Sequence, residues 1–474
     1  MPVWKPLAAD CTSSSPPESA PPQVPSGRLT ILSRVASRQV PLWAVGLVSV
    51  VLVGTAIAMA LSSIAVAGDG AYYLVRILDG ERVFGPELRM FGNAVRQVPV
   101  LLAARAGVTD THVLSVTFGL GLFLVPVAAW CLAVLWARAE DRVFAAVAMV
   151  AGLCAGTTWF FAVGENVIAV PLTALVAVLL WLPRAWAWPH ALVAGAASTI
   201  LVATYETSLV SSALVVVWAA WRARVTETRP DTIGAAAVAG IAALSIVTAL
   251  AGVQAGQEKT PDHVQSLLFF VVSLTPWPLY LGLVANAAIV AALSPELDRT
   301  PRIALLVVGS LSAAVTVYGL APTTPTAFAA RGGAPIAAIL LQLLLFGLWI
   351  RAGRGARDPR ARTRGVIDSR WLLLVPILFV AGMAFGNLRA LTSWSRSFEA
   401  FQAEVARTCD VNVVDEVLPA DRRQVVWGWA SSSLSLIVRR DPDAGVLADR
   451  DPSFVPFPPS TARDQLPDEY VWGG

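Results

Sequence analysis

The chain has 474 residues, of which 56% are apolar and only 14% charged, with a net charge of +3 and a mean hydropathy of +0.65. Water-soluble globular domains carry about 25% charged residues, so this balance excludes a soluble enzyme and a disordered chain, and the small net charge gives no basis for a nucleic-acid partner. What remains is an all-α polytopic membrane protein, because several apolar runs exceed the roughly 18 residues that cross a bilayer.

In chain order, residues 1–38 are polar, rich in Pro, Ser and Ala and without periodicity, which predicts a disordered cytoplasmic tail. The first apolar run covers residues 40–67 and ends in Ala65-Val66-Ala67, which resembles a signal-peptidase site. A signal-peptide apolar core is only about 7–15 residues, so the run is read as an uncleaved first span. Ten further spans are expected at residues 112–136, 143–163, 167–183, 190–204, 208–221, 233–252, 266–293, 303–320, 333–350 and 371–388, eleven in all.

The arginines test this count. With the N-terminus inside, the inner segments hold Arg138 and Arg142, Arg184, Arg222 with Arg224 and Arg229, Arg299 with Arg302, and seven arginines between Arg351 and Arg370. The short outer loops hold none, or one each in Lys259 and Arg331. This is the positive-inside pattern. It makes residues 39–388 a transmembrane domain and places residues 389–474 outside as a small extracytoplasmic C-terminal segment. Only Lys5 and Lys259 among the 35 basic residues are lysines, a bias typical of a GC-rich bacterial genome, so the expected location is a bacterial inner membrane.

The first outer loop, residues 68–111, is long. Tyr72, Tyr73, Arg76, Ile77 and Gly80 fall at helical spacing, predicting a short helix along the membrane surface. Arg89, Asn93, Arg96 and Gln97 recur at i, i+4, i+7 and i+8, predicting a second helix with one polar face. Asp69 lies directly beyond the first span, at the membrane–water boundary.

These features resemble the GT-C glycosyltransferases, integral membrane enzymes that use polyprenyl-phosphate sugars. The stretch from Gly68-Asp69 through Tyr72-Tyr73 and Gly80 to Phe84 is similar to the family's acid, aromatic pair and glycine-containing turn. Pro99 to Val108 is similar to the family's Pro-Pro-Leu segment, with one of its two prolines; Gly70 stands where many members carry a second acid. The likeness covers about 45 residues in detail. It implies a GT-C-like fold with about eleven helices and Asp69 as the catalytic base. The implied partners are a polyprenyl-phosphate sugar donor, membrane lipid and an envelope glycan, glycolipid or protein acceptor outside the membrane.

The leaving phosphate of such a reaction needs cations, and arginine binds phosphate oxygens with a planar fork. Arg96, Arg331 and Arg396 are the favoured ligands on the outer side, with Asn93 and Tyr72 as further substrate contacts. Glu165 lies in a three-residue outer loop where the resemblance implies a second acid, and Glu206 occupies the next outer turn. The histidines and the cysteines Cys11, Cys131, Cys154 and Cys409 are scattered, so no metal site or disulfide is expected, and no cofactor beyond a divalent ion that the missing second acid leaves open. Trp181, Trp186 and Trp188 read as interfacial anchors.

In the C-terminal segment Phe398, Phe401 and Val405 predict a helix over 393–407, while Gln424–Trp429 and Leu434–Val438 read as two strands around a Ser431–Ser433 turn. The alternatives to glycosyl transfer are a transporter or flippase of lipid-linked sugars, a glycan polymerase and a non-catalytic scaffold. A transporter predicts discontinuous helices in repeated halves; Pro276 and Pro278 in the eighth span are the only such feature.

Overall fold

The computed structural model describes residues 42–80, 82–85, 90–140, 166–181, 186, 188–202, 204, 208–225, 229–259, 288, 299–320, 374–419, 430–448 and 465–473. These are 82% helical. Helix α1 is Leu42–Leu61, followed by a 3₁₀ turn at Ile64–Val66, α2 at Asp69–Gly80, α3 at Met90–Arg105 and α4 at Thr111–Glu140. Then come α5 (Asn166–Trp181), α6 (Trp188–Leu201), α7 (Ser208–Val225), α8 (Arg229–Lys259), α9 (Arg299–Leu320) and α10 (Leu374–Arg407).

Eight of the eleven expected spans fall on these helices. The other three, 143–163, 266–293 and 333–350, lie outside the described residues apart from Ala288. Among the described residues, Thr111–Trp136 and Asp231–Gln254 are long and apolar enough to cross a membrane. Only 28% of the second window is buried. Trp43, Val50 and Leu61 of α1, Ile233 and Val247 of α8, and Phe385 and Leu388 of α10 are exposed as well. Large apolar surfaces are unfavourable in water and suited to lipid.

Helix α4 packs against α1, α3 and α5; α5 packs against α6 and α7; α8 packs against α6 and α7; and α9 and α10 lie together, with α10 returning to α1. Small residues allow the closest approaches. A Cβ on Gly119 would come 2.9 Å from Ala60 Cα of α1, and one on Gly121 would overlap the Arg96 carbonyl oxygen of α3. The core between them holds Leu52, Met59, Phe118, Phe123 and Trp130.

Two sets of side-chain bonds tie helix ends together. At one end Ser63 and Ser115 share a hydroxyl hydrogen bond of 2.8 Å, tying the end of α1 to the start of α4. Trp394 Nε1 of α10 donates to Ser62 O at 2.8 Å in the same place. At the opposite end Arg222 of α7 donates to Leu180 O at 2.8 Å and lies 3.4 Å from Asp231 of α8, both side chains buried. Asp231 accepts from the Trp186 backbone N–H at 2.7 Å, and the Arg222 guanidinium lies 5.0 Å from the Trp186 ring centroid. Trp181, expected at an interface, is instead buried edge-on against Trp218; Trp188 is exposed.

The C-terminal segment differs from its sequence reading in two ways. Helix α10 runs unbroken through 388–393, because Asn387 to Trp394 contains no Gly or Pro; Phe398, Phe401 and Val405 line its buried face. Ser431–Val438 is a helix, not a turn and strand; the other expected strand, 424–429, lies outside the described residues. The segment contains β1 (Val411–Val413), α11 (Val414–Val417), α12 (Ser431–Val438) and β2 (Val446–Ala448), with β1 and β2 parallel and Val411 opposite Val446. Parallel strands need a crossover between them, and α12 lies within it, packed on β2, α2, α4 and α10.

The last described residues are firmly held. Thr111 N–H donates to Val471 O at 3.0 Å, and Trp472 N–H to Arg439 O at 2.8 Å. The Trp472 ring sits between His112 at 4.7 Å and Phe398 at 5.5 Å. Buried Arg439 donates to the carbonyls of Leu466 and Pro467 at 2.7 and 2.9 Å.

Candidate functional site

The turn from α1 to α2 is built to place Asp69. Ser63 and Gly68 both take left-handed backbone angles, φ 55° and 56°, so the chain reverses within a few residues of Leu61. Ile64, Ala65, Val66 and Ala67 are buried and anchor that reversal. Asp69 then opens α2. A carboxylate in a first helical turn is favoured by the helix dipole. Asp69 is half-buried, with Oδ1 shut off from solvent.

One turn along, Tyr72 and Tyr73 meet Phe84 edge-on at 5.4 and 5.2 Å between ring centroids. Arg76 lies 5.6 Å from the Phe84 ring centroid and 3.4 Å from Asp79. Phe84 is the hinge between the two loop helices. Gln97 of α3 accepts from its N–H and donates to its C=O, both at 2.8 Å. This two-bond clamp fixes the aromatic cluster, and through it α2, against α3.

The polar face of α3 exists, but it points into the protein. Asn93, Arg96 and Gln97 are all 0% exposed. Arg96 donates from Nη2 to Asn93 Oδ1 at 3.1 Å and from Nε to Gly92 O at 3.2 Å. The opposite face carries Phe91, Val95, Val98 and Leu102, all exposed. The first half of the helix is thus polar inward and apolar outward, the reverse of a helix on a water-soluble protein, while Val100 and Leu101 continue the buried face in its second half. The Arg96 and Asn93 side chains bond to each other and shape the site from behind.

Asp69, Tyr72, Asn93 and Arg96 therefore belong to one connected unit made of α2, the Phe84 loop and α3. Gly92 of α3 also meets Thr204 at 3.1 Å and Ile168 at 3.5 Å by its missing Cβ, at the end of α6 and the start of α5. Glu165, Glu206 and Arg331 lie outside the described residues, as does Arg89. Arg396 is exposed on α10. It follows buried Trp394 by two positions, about 200° round the helix, and among the described residues no bond ties it to the Asp69 unit. Sequence spacing did not reveal the Trp394–Ser62 bond or the docking of Trp472, because those partners are 332 and 360 residues apart.

Among the described residues no group of three or more His, Cys, Asp or Glu could hold a metal ion. Comparison with family models, curated proteins and solved structures finds no match to this chain. The fold and site define a mostly helical protein in which, among the described residues, two helices are long and apolar enough to cross a membrane. A half-buried carboxylate opens the helix that follows its first apolar one.

Proposed function

We propose that the chain is a GT-C-like membrane glycosyltransferase of about eleven spans in a bacterial inner membrane. It moves a sugar from a polyprenyl-phosphate donor to an envelope glycan, glycolipid or protein acceptor outside. The observation that supports this most is the setting of Asp69: directly beyond the first apolar helix, half-buried, and at the start of the helix whose Tyr72 and Tyr73 pack on the clamped Phe84. In the reaction the carboxylate takes the proton of the acceptor hydroxyl as its oxygen attacks the anomeric carbon. The bond from that carbon to the phosphate oxygen breaks, and the lipid phosphate leaves with the electron pair. General-base help of this kind contributes about 10²–10⁴-fold. Cations stabilise the charge developing on the phosphate. Arg331 and Arg396 are assigned that role, while buried Arg96 holds the loop that carries Asp69. Glu165 serves as second acid, Tyr72 and Glu206 line the substrate path, and Asn93, bonded to Arg96, supports it from within.

The test is a glycan and glycolipid profile of a deletion strain complemented with the wild-type chain or with Asp69→Asn at equal expression. Loss of one sugar in the deletion strain, restored by wild type and reduced at least about 100-fold with Asp69→Asn, is the expected result. Full restoration by Asp69→Asn would sink the general-base assignment and favour a transporter or a scaffold.

A further inference from the structure

We propose that Trp472 is a positioning residue for the turn that presents Asp69, acting through two arms of contacts that meet on Ser62 and Ser63. The turn needs such support. Among the described residues Ser63 is the one non-glycine residue with a left-handed backbone, at φ 55°. For a residue with a side chain that conformation is sparsely populated and lasts only where its surroundings fix it. What fixes it comes from two other helices: α4 bonds the Ser63 hydroxyl, and α10 bonds the carbonyl of Ser62.

Both of those bonds lead back to Trp472. In the α4 arm, the Trp472 and His112 ring centroids are 4.7 Å apart. The His112 carbonyl accepts from the Ser115 hydroxyl at 2.9 Å. With its one proton used there, Ser115 accepts from the Ser63 hydroxyl at 2.8 Å. In the α10 arm, Trp472 meets Phe398 edge-on at 5.5 Å, and Phe398 stacks on Trp394 at 4.8 Å. Trp394 Nε1 then donates to Ser62 O at 2.8 Å. One ring thus touches both α4 and α10 and ties each of them to the same pair of residues.

The ring holds its place because the backbone on each side of it is tied. Val471 O accepts from Thr111 N–H at 3.0 Å, Trp472 N–H donates to Arg439 O at 2.8 Å, and Gly473 N–H donates to Asp110 Oδ1 at 3.0 Å. Asp110 Oδ1 also accepts the His112 N–H at 2.8 Å, so one carboxylate caps the start of α4 and holds the strap that carries Trp472. Coupling between distant positions is carried by packed side chains and hydrogen bonds of this kind. Asp69 follows Ser63 after the buried 3₁₀ turn Ile64–Val66, so little chain is left to absorb a shift at Ser62 and Ser63. The effect on sugar transfer rests on the function proposed above; the effect on the turn does not.

The experiment uses the full chain in a maltoside detergent and follows amide hydrogen exchange at Val66, Ala67 and Gly70, whose N–H groups bond within the turn to Ser63 O, Ile64 O and Ala67 O. Trp472→Ala removes two ring contacts and should speed exchange there about tenfold or more. Trp218 and Ala219 of α7, outside both arms, should exchange as in wild type. Trp472→Phe keeps a ring in place and should restore slow exchange at the turn. Trp394→Phe/Ser115→Ala cuts both arms with Trp472 present and should loosen the turn as much, which keeps the test decisive if Trp472→Ala does not fold. Adding Trp472→Ala to that pair should change exchange no more than about twofold further, the sign of a shared route. In the complemented deletion strain Trp472→Ala should lower transfer about tenfold or more, as a displaced catalytic group does, and Trp472→Phe should return it. A loosened turn together with full transfer by Asp69→Asn would remove the base and leave the positioning role. The proposal is overturned if Trp472→Ala leaves exchange at the turn unchanged, if α7 speeds up equally, or if cutting both arms leaves the turn as slow as in wild type. It is overturned as well if Trp472→Ala loosens the turn but keeps full transfer while Asp69→Asn abolishes it.

Discussion

The bonds at the end of the bundle opposite Asp69 make a prediction that depends on no assumption about activity. Arg222 and Asp231 are 4% and 1% exposed with a closest approach of 3.4 Å, and Asp231 also accepts the Trp186 N–H at 2.7 Å. Asp231→Ala would leave the guanidinium buried beside the Leu180 carbonyl with its carboxylate gone, and would strip the Trp186 amide of its acceptor. Breaking one side of a buried ion pair costs about 3–5 kcal/mol, and an orphaned amide about 1–3 kcal/mol. The two overlap, so a loss of about 4 kcal/mol is expected. Removing both charges together, as in Arg222→Met/Asp231→Leu, costs much less, since neither charge is then left alone. Thermal unfolding of the full chain in detergent, followed by tryptophan fluorescence, measures both. Asp231→Ala should melt lower by at least about 5 °C, with the double variant between it and wild type. An Asp231→Ala variant melting within about 1 °C of wild type, or a double variant less stable than either single one, would refute the argument.

Two further outcomes follow from the site's geometry. Gly121→Ala places a methyl group on the Arg96 carbonyl oxygen, whereas Gly46, Gly54 and Gly240 face open space. The first substitution should cost about 1–3 kcal/mol by overpacking and loosen α3, while Ala at the other three, inside helices and facing open space, should not lower melting. Gln97→Leu removes both bonds to Phe84, so the Phe84 amide should exchange with solvent at least about tenfold faster, an effect of the size that one lost hydrogen bond produces. Unchanged exchange at Phe84 would mean that the clamp does not hold the two loop helices together.

The long helices were legible because an uncharged apolar run of about 20 residues satisfies its backbone within itself only as a helix. The helical spacing of Tyr72, Tyr73 and Arg76 was legible because the residues that make α2 are neighbours in the chain. The C-terminal segment was not legible. Ser433 to Leu436 alternates polar and apolar as a strand would, yet all eight residues of Ser431–Val438 are buried. When every side of an element meets protein, periodicity records no solvent boundary and stops distinguishing helix from strand. The three-residue strands β1 and β2 pair across 35 positions, and nothing local announces that contact.

Helix α3 shows a subtler limit. Its sequence marks Asn93, Arg96 and Gln97 as one face and Phe91, Val95, Val98 and Leu102 as the other. A hydrophobic stripe states only that two faces differ, not which of them meets the protein. On a soluble protein the apolar face turns inward; against lipid the inward face can be the polar one, provided that its groups bond to one another. Arg96 with Asn93, and Gln97 with Phe84, meet that condition. The inversion is therefore itself an argument about solvent. In water α3 would expose Phe91 and Leu102 while burying an arginine, a doubly unfavourable arrangement. Beside a bilayer the same arrangement puts the apolar face in lipid and encloses the polar face that supports the loop carrying Asp69.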